Sequence, residues 1–460
     1  MNVDRYERRI VDYIFDFSYK KLSKAAIEST KERLLDSLAC AMAANNTVPV
    51  ESMRLLALQS SSSYGATVFG TAHIAPVSDA TLVLGTAIRA HDWNDTYLSK
   101  EPAHPSDNIA AAMAVAEAEK RTGRDLITGI VLAYELQCRL CDAAAIRKRG
   151  WDHVTYASVS STAAAAKLMG LDAAQIRDAL AIAITTGNYL RQTRIGTISN
   201  WKAAAFAKAA KNAVEAALYV KHGFTGPSDI IAGQHGLINQ ITGREFNLAR
   251  NFGGEAGEEY KIVQTYIKYF PAEYHSQSAI WAAIELREQL GPGDWREIQS
   301  IIVETSHHSY EIIGMDKDKW RPQTKETADH SLPYITVAAM MDGTITLKQF
   351  DQEHLRSKPL LDLVGKVECR ETKEYTDVYG TSYPNKIIIT LNDGRVFEKE
   401  IMNPKGHPLN PLSRSEIEAK FIRNSDDLIS PARQDQVIRC VWDLENLPGV
   451  KQLMYCLETA

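Results

Sequence analysis

Cysteine is scarce, six residues in 460, too few and too scattered for a disulfide framework. Long apolar runs are missing too. None approaches the roughly 18 residues that would cross a bilayer, so no membrane partner is expected. Positive charge is not in excess: 52 Lys and Arg stand against 57 Asp and Glu, a formal net charge of −5, which excludes a basic nucleic-acid footprint. The first ten residues, MNVDRYERRI, carry charge where a secretory signal needs an apolar stretch, and acid where a mitochondrial presequence avoids it. The phosphate loop G-x-x-x-x-G-K-[ST], the dinucleotide fingerprint after a strand and the G-x-S-x-G elbow are all absent. What is left is a cytoplasmic soluble protein, 45% apolar and long enough for two domains.

The first 270 residues are dominated by Ala-rich stretches of helical period: Ala25 to Ala44, Ser106 to Lys120, Asp125 to Ala145, Ser158 to Met169, Ala173 to Thr186 and Trp201 to His222. Ser106 and Asp107 read as a helix start, and Gly123, Gly170 and Gly223 as stops. Faces lined by Ala predict close helix-on-helix packing. Ser60 to Ser63, Gly65, Gly70 and Gly85 mark loops and turns. After Pro271 the character changes. Glu297 to Thr305 reads as a strand, Lys366 to Arg370 as a weaker one, and Lys386 to Ile401 as a hairpin about Asn392-Asp393-Gly394. Leu332 to Met341 is helical between them, and helical text resumes at Ser413. The predicted fold is mostly α: a large all-α helical domain over 1–270, a smaller α+β lid domain over 271–405, and C-terminal helices over 406–460 returning to the first domain.

The densest polar cluster is RAHDWNDTYLSKEPAHPSDN, Arg89 to Asn108, with His91, Asp92, Asn94, Asp95, Thr96, His104, Ser106 and Asp107 between two helical patterns. Carboxylates beside imidazoles supply acid/base pairs at neutral pH; the alternative is a solvated connection with helix caps. Asp152-His153 precedes the helix from Ser158, where a helix start favours an anion; a surface histidine beside a cap is the plainer reading. Arg191, Arg194 and Lys202 flank a turn that opens another helix, a polycarboxylate site or ordinary flanking charge. Glu273 and His275 sit at the domain boundary, facing a cleft or capping a helix. Cys138 and Cys141 form a C-x-x-C, but within YELQCRLCDAA they fall at i and i+3 of one helix and read as small packing residues rather than ligands of an iron cluster or zinc.

Taken in order, HDWNDTY, AHPSDN, GWDHVTYASVSSTAAAAKLMGL, NWKAAAFAKAA, YFPAEYHSQSA and KETADHSLPYI resemble the 2-methylcitrate dehydratase family, also called MmgE/PrpD, over nearly the whole chain. That family also includes cis-aconitate decarboxylase and an iminodisuccinate epimerase. The resemblance implies a homodimeric, metal-free and cofactor-free enzyme whose site lies between a helical domain and an α+β lid. It points to Asp92, His104, His153, Lys202 and His275 as catalytic residues. Asn94, Thr96, Arg191, Arg194 and His330 are implied to bind a small tricarboxylate. The expected reaction is removal of water from 2-methylcitrate to give 2-methylaconitate. Decarboxylation or epimerisation of a related acid on the same fold is the nearer alternative, and a non-catalytic anion-binding helical protein the farther one.

That chemistry suits these residue types. A proton next to a carboxylate must be abstracted and a poor hydroxide leaving group protonated, so a base, an acid and cations for the developing charge are all required. Lys202, in the first turn of its helix, opposes the helix dipole and is expected to hold a substrate carboxylate together with free backbone N–H groups.

Overall fold

The structure, a computed structural model, describes residues 5–195, 198–243, 246–291 and 294–459. It is mostly helical, with one two-stranded and one four-stranded sheet among the described residues. The chain divides into two units, Met1–Thr265 with Ser413–Ala460, and Tyr266–Leu412.

In the first unit the helices are α1 (Arg5–Asp16), α2 (Lys24–Ala43), α3 (Val48–Ala57), α4 (Val77–Arg89), α5 (Ile109–Ala118), α6 (Gly123–Ala143), α7 (Ala157–Met169), α8 (Ala173–Thr186) and α9 (Trp201–Lys221). Small side chains set their spacing. At Gly85 of α4 an added Cβ would come within 2.8 Å of the Ala207 Cβ of α9, so the two helices touch almost backbone to backbone. Asp79 on α4 pairs with Lys211 on α9, and Arg89 and Lys202 both reach Asp92, so the helices run antiparallel. The C-terminus of α4 is thereby placed beside the N-terminus of α9.

Two local expectations are corrected here. Gly123 does not stop a helix; Thr122 and Asp125 form a capping box, and Gly123 is the first residue of α6. The preceding helix ends at Ala118, with Lys120 taking the left-handed turn at φ 54°. Nor is the unit all-α. Strands β1 (Gly65–Thr67) and β2 (Ile74–Pro76) pair antiparallel through a tight loop in which Gly70 has φ 79°. Three residues are too few to display an alternating pattern, which is why only the turn glycines were visible in the sequence.

The C-terminal helices Arg414–Ser425, Pro431–Trp442 and Lys451–Cys456 belong to this unit. Ser413 and Glu416 box the start of the first of them. From it Lys420 donates to Asp36 Oδ1 on α2 at 2.6 Å and to the Trp93 carbonyl at 3.1 Å, bracing the polar loop between α4 and α5 from behind.

The second unit is built on a sheet of order β4-β3-β5-β6: β3 (Ile298–Thr305), β4 (Val367–Glu371), β5 (Asn385–Leu391) and β6 (Val396–Ile401). β3 runs parallel to β4 and antiparallel to β5, with Ile301 opposite Ile389; β5 and β6 form the hairpin, turning at Gly394 with φ 87°. Alternation along β5 buries Ile387, Ile389 and Leu391. Helix α10 (Gln277–Leu290) and the helix Leu332–Asp342 supply Ile280, Leu286 and Val337 to the same core. The unit opens at Tyr266 rather than Pro271 and closes at Leu412. The reason is local: Tyr266 stacks on His407 at 5.1 Å, and the Ile267 N–H donates to the Gly406 carbonyl at 3.0 Å.

Candidate active site

The loop between α4 and α5 is not a solvated connection. Asp92, Asn94, Asp95, Thr96, Ser106, Asp107 and Asn108 are all buried. Burying that much polarity is tolerable only if the groups satisfy one another. Asn94 gives its amide hydrogens to Ser106 Oγ at 2.9 Å and Asp107 Oδ1 at 2.8 Å. Asp95 Oδ1 accepts the Ser106 N–H at 2.9 Å, and Asn108 Oδ1 accepts from Ser160 and Ser161 on α7. The buried acids feel the cost. Burial pushes Asp107 up to about 7, and pushes Asp95 and Asp36 up as well.

Asp92 is the focus of the charge. It sits at φ 54°, a left-handed backbone that Asp tolerates better than most residues. Its carboxylate takes Arg89 Nη1 at 2.9 Å on Oδ1 and Lys202 Nζ at 2.7 Å on Oδ2. Arg89 Nη2 stands 3.2 Å from Asp92 Oδ2 and 3.1 Å from His104 Nε2, while His104 Nε2 is 3.9 Å from Asp92 Oδ1. The His104 Nδ1 lies 2.7 Å from the Asp95 carbonyl, an acceptor only, so that nitrogen carries hydrogen. Thr96 Oγ1 is 3.1 Å from the same Nδ1.

Lys202 does not sit on free amides as the helix-start argument expected. The Lys202 and Ala203 N–H groups donate to the Ser199 and Asn200 carbonyls at 3.1 and 3.0 Å, and the ammonium turns to Asp92. A carboxylate supplied by the chain thus occupies the cation that dipole reasoning reserved for a ligand.

The rings of His104 and His153 meet edge to face, 5.8 Å between centroids. His153 is fixed from the far side. Its Nδ1 lies 3.1 Å from Asp152 Oδ1, and Asp152 Oδ2 accepts Arg194 Nε at 2.8 Å. Residues 150–152 and 189–191 pair as a short antiparallel ladder: Asp152 N–H to the Tyr189 carbonyl at 2.8 Å, and Arg191 N–H to the Gly150 carbonyl at 2.9 Å. This ladder brings Arg194 onto Asp152. Burial is the largest influence on the His153 ring and, with Arg194, Arg89 and Arg191 outweighing Asp152, brings it down to about 3. Burial alone would raise Asp152, but Arg194 and His153 more than offset it and hold the carboxyl low. The His153 Nε2 is buried with no hydrogen-bond partner among the described residues. Arg191 is half-buried, and among the described residues its side chain makes no hydrogen bond or ion pair.

His275 and His330 belong to the second unit. Glu273 binds His275 twice, through the backbone N–H and Nδ1, each at 2.8 Å, and Tyr379 OH is 3.0 Å from Nε2. Burial pushes Glu273 up, but His275, His330 and Lys268 overcome it and hold the carboxyl down at about 2. His330 Nδ1 is 2.5 Å from Asp329 Oδ1, a carboxylate that Lys325 also reaches.

Three members of the first-unit cluster, Arg89, Asp107 and Asp152, carry no assigned site role from the sequence, although Asp107 and Asp152 are among the polar residues singled out there. Each stands inside or next to a quoted segment, but a pattern of residue types does not say which neighbour faces inward. Cys138 and Cys141 lie on one continuous helix, α6, buried and free, with burial raising both thiols. Among the described residues no group of three or more His, Cys, Asp or Glu is placed to hold a metal ion, and no helix is long and apolar enough to cross a membrane.

The chain matches the MmgE/PrpD N-terminal domain over residues 8–249 and the MmgE/PrpD C-terminal domain over residues 270–445. It is 32% identical over 440 residues to a mitochondrial 2-methylcitrate dehydratase of Yarrowia lipolytica, covering 88% of this chain and 81% of the relative. It is 29% identical to a 2-methylcitrate dehydratase of Salmonella typhimurium, over 87% of this chain and 86% of that one. An alkylcitrate dehydratase of a fungal species is 28% identical over 88% of the chain and 85% of its own length. Two matched domains in order, and relatives spanning most of both lengths, place this chain in the MmgE/PrpD family.

Proposed function

We propose that this protein is a hydro-lyase that removes water from 2-methylcitrate, giving 2-methylaconitate. The observation that carries this reading is the constellation of buried Arg89, Asp92, His153 and Lys202 with the half-buried His104, in a chain whose relatives are named dehydratases. His153 Nε2, a lone pair without a partner, takes the carbon-bound proton next to a substrate carboxylate. Lys202 and Arg191 offset the charge that develops on that carboxylate. His104 in its protonated form gives the Nε2 proton to the departing hydroxyl, which leaves as water while the C=C bond forms. Asp92 Oδ1 lies 3.9 Å from that nitrogen. Arg89 holds Asp92 through Nη1 at 2.9 Å and Nη2 at 3.2 Å, and so keeps a carboxylate beside the His104 ring that it also reaches. Asn94 supports the site through Ser106 and Asp107. Thr96 holds the His104 ring on its Nδ1 side.

Proton NMR of reactions with 2-methylcitrate, citrate and cis-aconitate tests the proposal. The expected outcome is loss of the 2-methylcitrate methine signal and collapse of its methyl doublet to a singlet as the unsaturated acid appears. Release of carbon dioxide would instead mark a decarboxylase. Deuterium uptake with inversion and no loss of water would mark an epimerase. No turnover of any of these acids would overturn the enzymatic reading.

A further inference from the structure

We infer that Asp152, itself held by Arg194, is a positioning residue that locks the His153 ring in the Nδ1–H tautomer and so presents a bare Nε2 to the substrate. This rests on the dehydratase reading for its consequence in catalysis, but not for the tautomer itself.

Asp152 Oδ2 accepts Arg194 Nε at 2.8 Å, and Oδ1 accepts the Val154 N–H at 3.3 Å. A carboxylate with a guanidinium on one oxygen and an amide hydrogen on the other is ionised and acts only as an acceptor. That ionised Oδ1 stands 3.1 Å from His153 Nδ1, an ion-pair contact out of line for a hydrogen bond, and its negative charge favours a hydrogen on Nδ1 over a lone pair facing it. The ring is neutral, so its other nitrogen has none. That nitrogen is buried and without a partner among the described residues, a costly arrangement for a purely structural histidine. For a base waiting for a C–H proton it is the required one, because any donor placed there would have to be displaced first.

Asp152 also caps the short turn His153–Tyr156 by accepting from Val154, which offers a merely structural explanation for it. The two roles separate by what is read, because loss of the cap alone does not move a ring hydrogen. In Asp152→Asn the side-chain oxygen stays on Arg194 and the amide group takes the place of Oδ1, which faces both the Val154 N–H and Nδ1. The cap contact is lost, and a side-chain hydrogen turned toward Nδ1 moves the ring hydrogen to Nε2.

The test has two arms. Long-range proton–nitrogen NMR of the free protein labelled with nitrogen-15 histidine, with His153 assigned by its loss in His153→Gln, reads the tautomer directly. The wild-type ring is expected as Nδ1–H, and the Asp152→Asn ring as Nε2–H. Kinetics with 2-methylcitrate should show kcat falling by two orders of magnitude or more in Asp152→Asn while KM stays within about threefold. A wild-type ring found as Nε2–H overturns the inference without any variant, so it stays falsifiable if Asp152→Asn folds poorly. An Asp152→Asn protein with unchanged tautomer and kcat within threefold overturns it as well. If wild type turns over no tricarboxylate while its tautomer is Nδ1–H, the dehydratase reading has failed and the tautomer lock stands.

Discussion

Lys202 Nζ donates to Asp92 Oδ2 at 2.7 Å, joining the first turn of α9 to the loop that follows α4 inside a buried site. The pairing changes what substitution of the lysine should do. Helix-dipole reasoning alone has Lys202→Met leaving the melting temperature equal or higher. With Asp92 buried beside it, the variant removes one of two cations from a carboxylate that cannot reach water, at a cost of about 1–3 kcal/mol while Arg89 remains. Turnover should fall two to three orders of magnitude. The double variant Asp92→Asn/Lys202→Met should regain most of the lost melting temperature and none of the rate. Were it to regain rate as well, Lys202 would be no more than a counter-ion.

How far the sequence alone reached can be read at these residues. The helices were visible because Ala-rich 3.6-residue periods are long, and the β5–β6 hairpin because Asn392-Asp393-Gly394 interrupts clean alternation. The β1–β2 pair escaped because three-residue strands carry no period. At the site, His104 stands out within a dense polar segment and His153 and Lys202 at helix starts, and the family resemblance points to all three. It does not point to their partners: Arg89 ends an ordinary helix, and Asp152 reads as an ordinary cap. Which oxygen meets which nitrogen depends on the antiparallel fit of α4 on α9 and on the ladder between 150–152 and 189–191, both set by packing between segments far apart in the chain.

His275 is held by Glu273 and Tyr379 within the second unit, and the family resemblance is what connects it with catalysis. His275→Gln keeps a hydrogen-bond donor for the half-buried Glu273 carboxylate, so the fold should persist, as judged by far-ultraviolet circular dichroism and the melting temperature. Turnover should drop two orders of magnitude or more, the scale of a lost acid/base group. A rate within threefold of wild type would remove His275 from the catalytic set.

The two cysteines of α6 offer a simple check. Burial raises both thiols well above their ordinary range, so neither is a thiolate at neutral pH. Cys138→Ala and Cys141→Ala should each keep turnover within about threefold of wild type. Each should lose roughly 1 kcal/mol or so of stability through packing, the scale of a small buried group removed. Treatment with a chelator should leave the rate unchanged. An iron–sulfur absorbance lost together with activity in either variant would reverse this account of the pair.

The pH dependence of stability follows from His153. Its ring is brought from 6.5 down to about 3, chiefly by burial. Above pH 6.5 neither the folded nor the unfolded chain protonates it, and its contribution is constant. As the pH falls from 6.5 toward 3 the unfolded chain takes up a proton that the folded one refuses, so stability declines over that window. The limiting slope is about 1.4 kcal/mol per pH unit for one proton. His407, lowered to about 4 by burial, and Glu273, held at about 2, lose stability in acid as well, so the informative quantity is the difference between wild type and His153→Gln. Denaturant unfolding between pH 7 and 5 should show the variant losing stability less steeply, by close to one proton. Parallel curves would mean that the folded ring takes up its proton as readily as the unfolded one, so that burial does not hold His153 neutral in acid. The bound state should differ in sign. A tricarboxylate beside Arg89, Arg191 and Arg194 cancels the cations that help hold the ring down, so the acid limb of kcat should lie above pH 3. The base would then gain strength only once its substrate is in place.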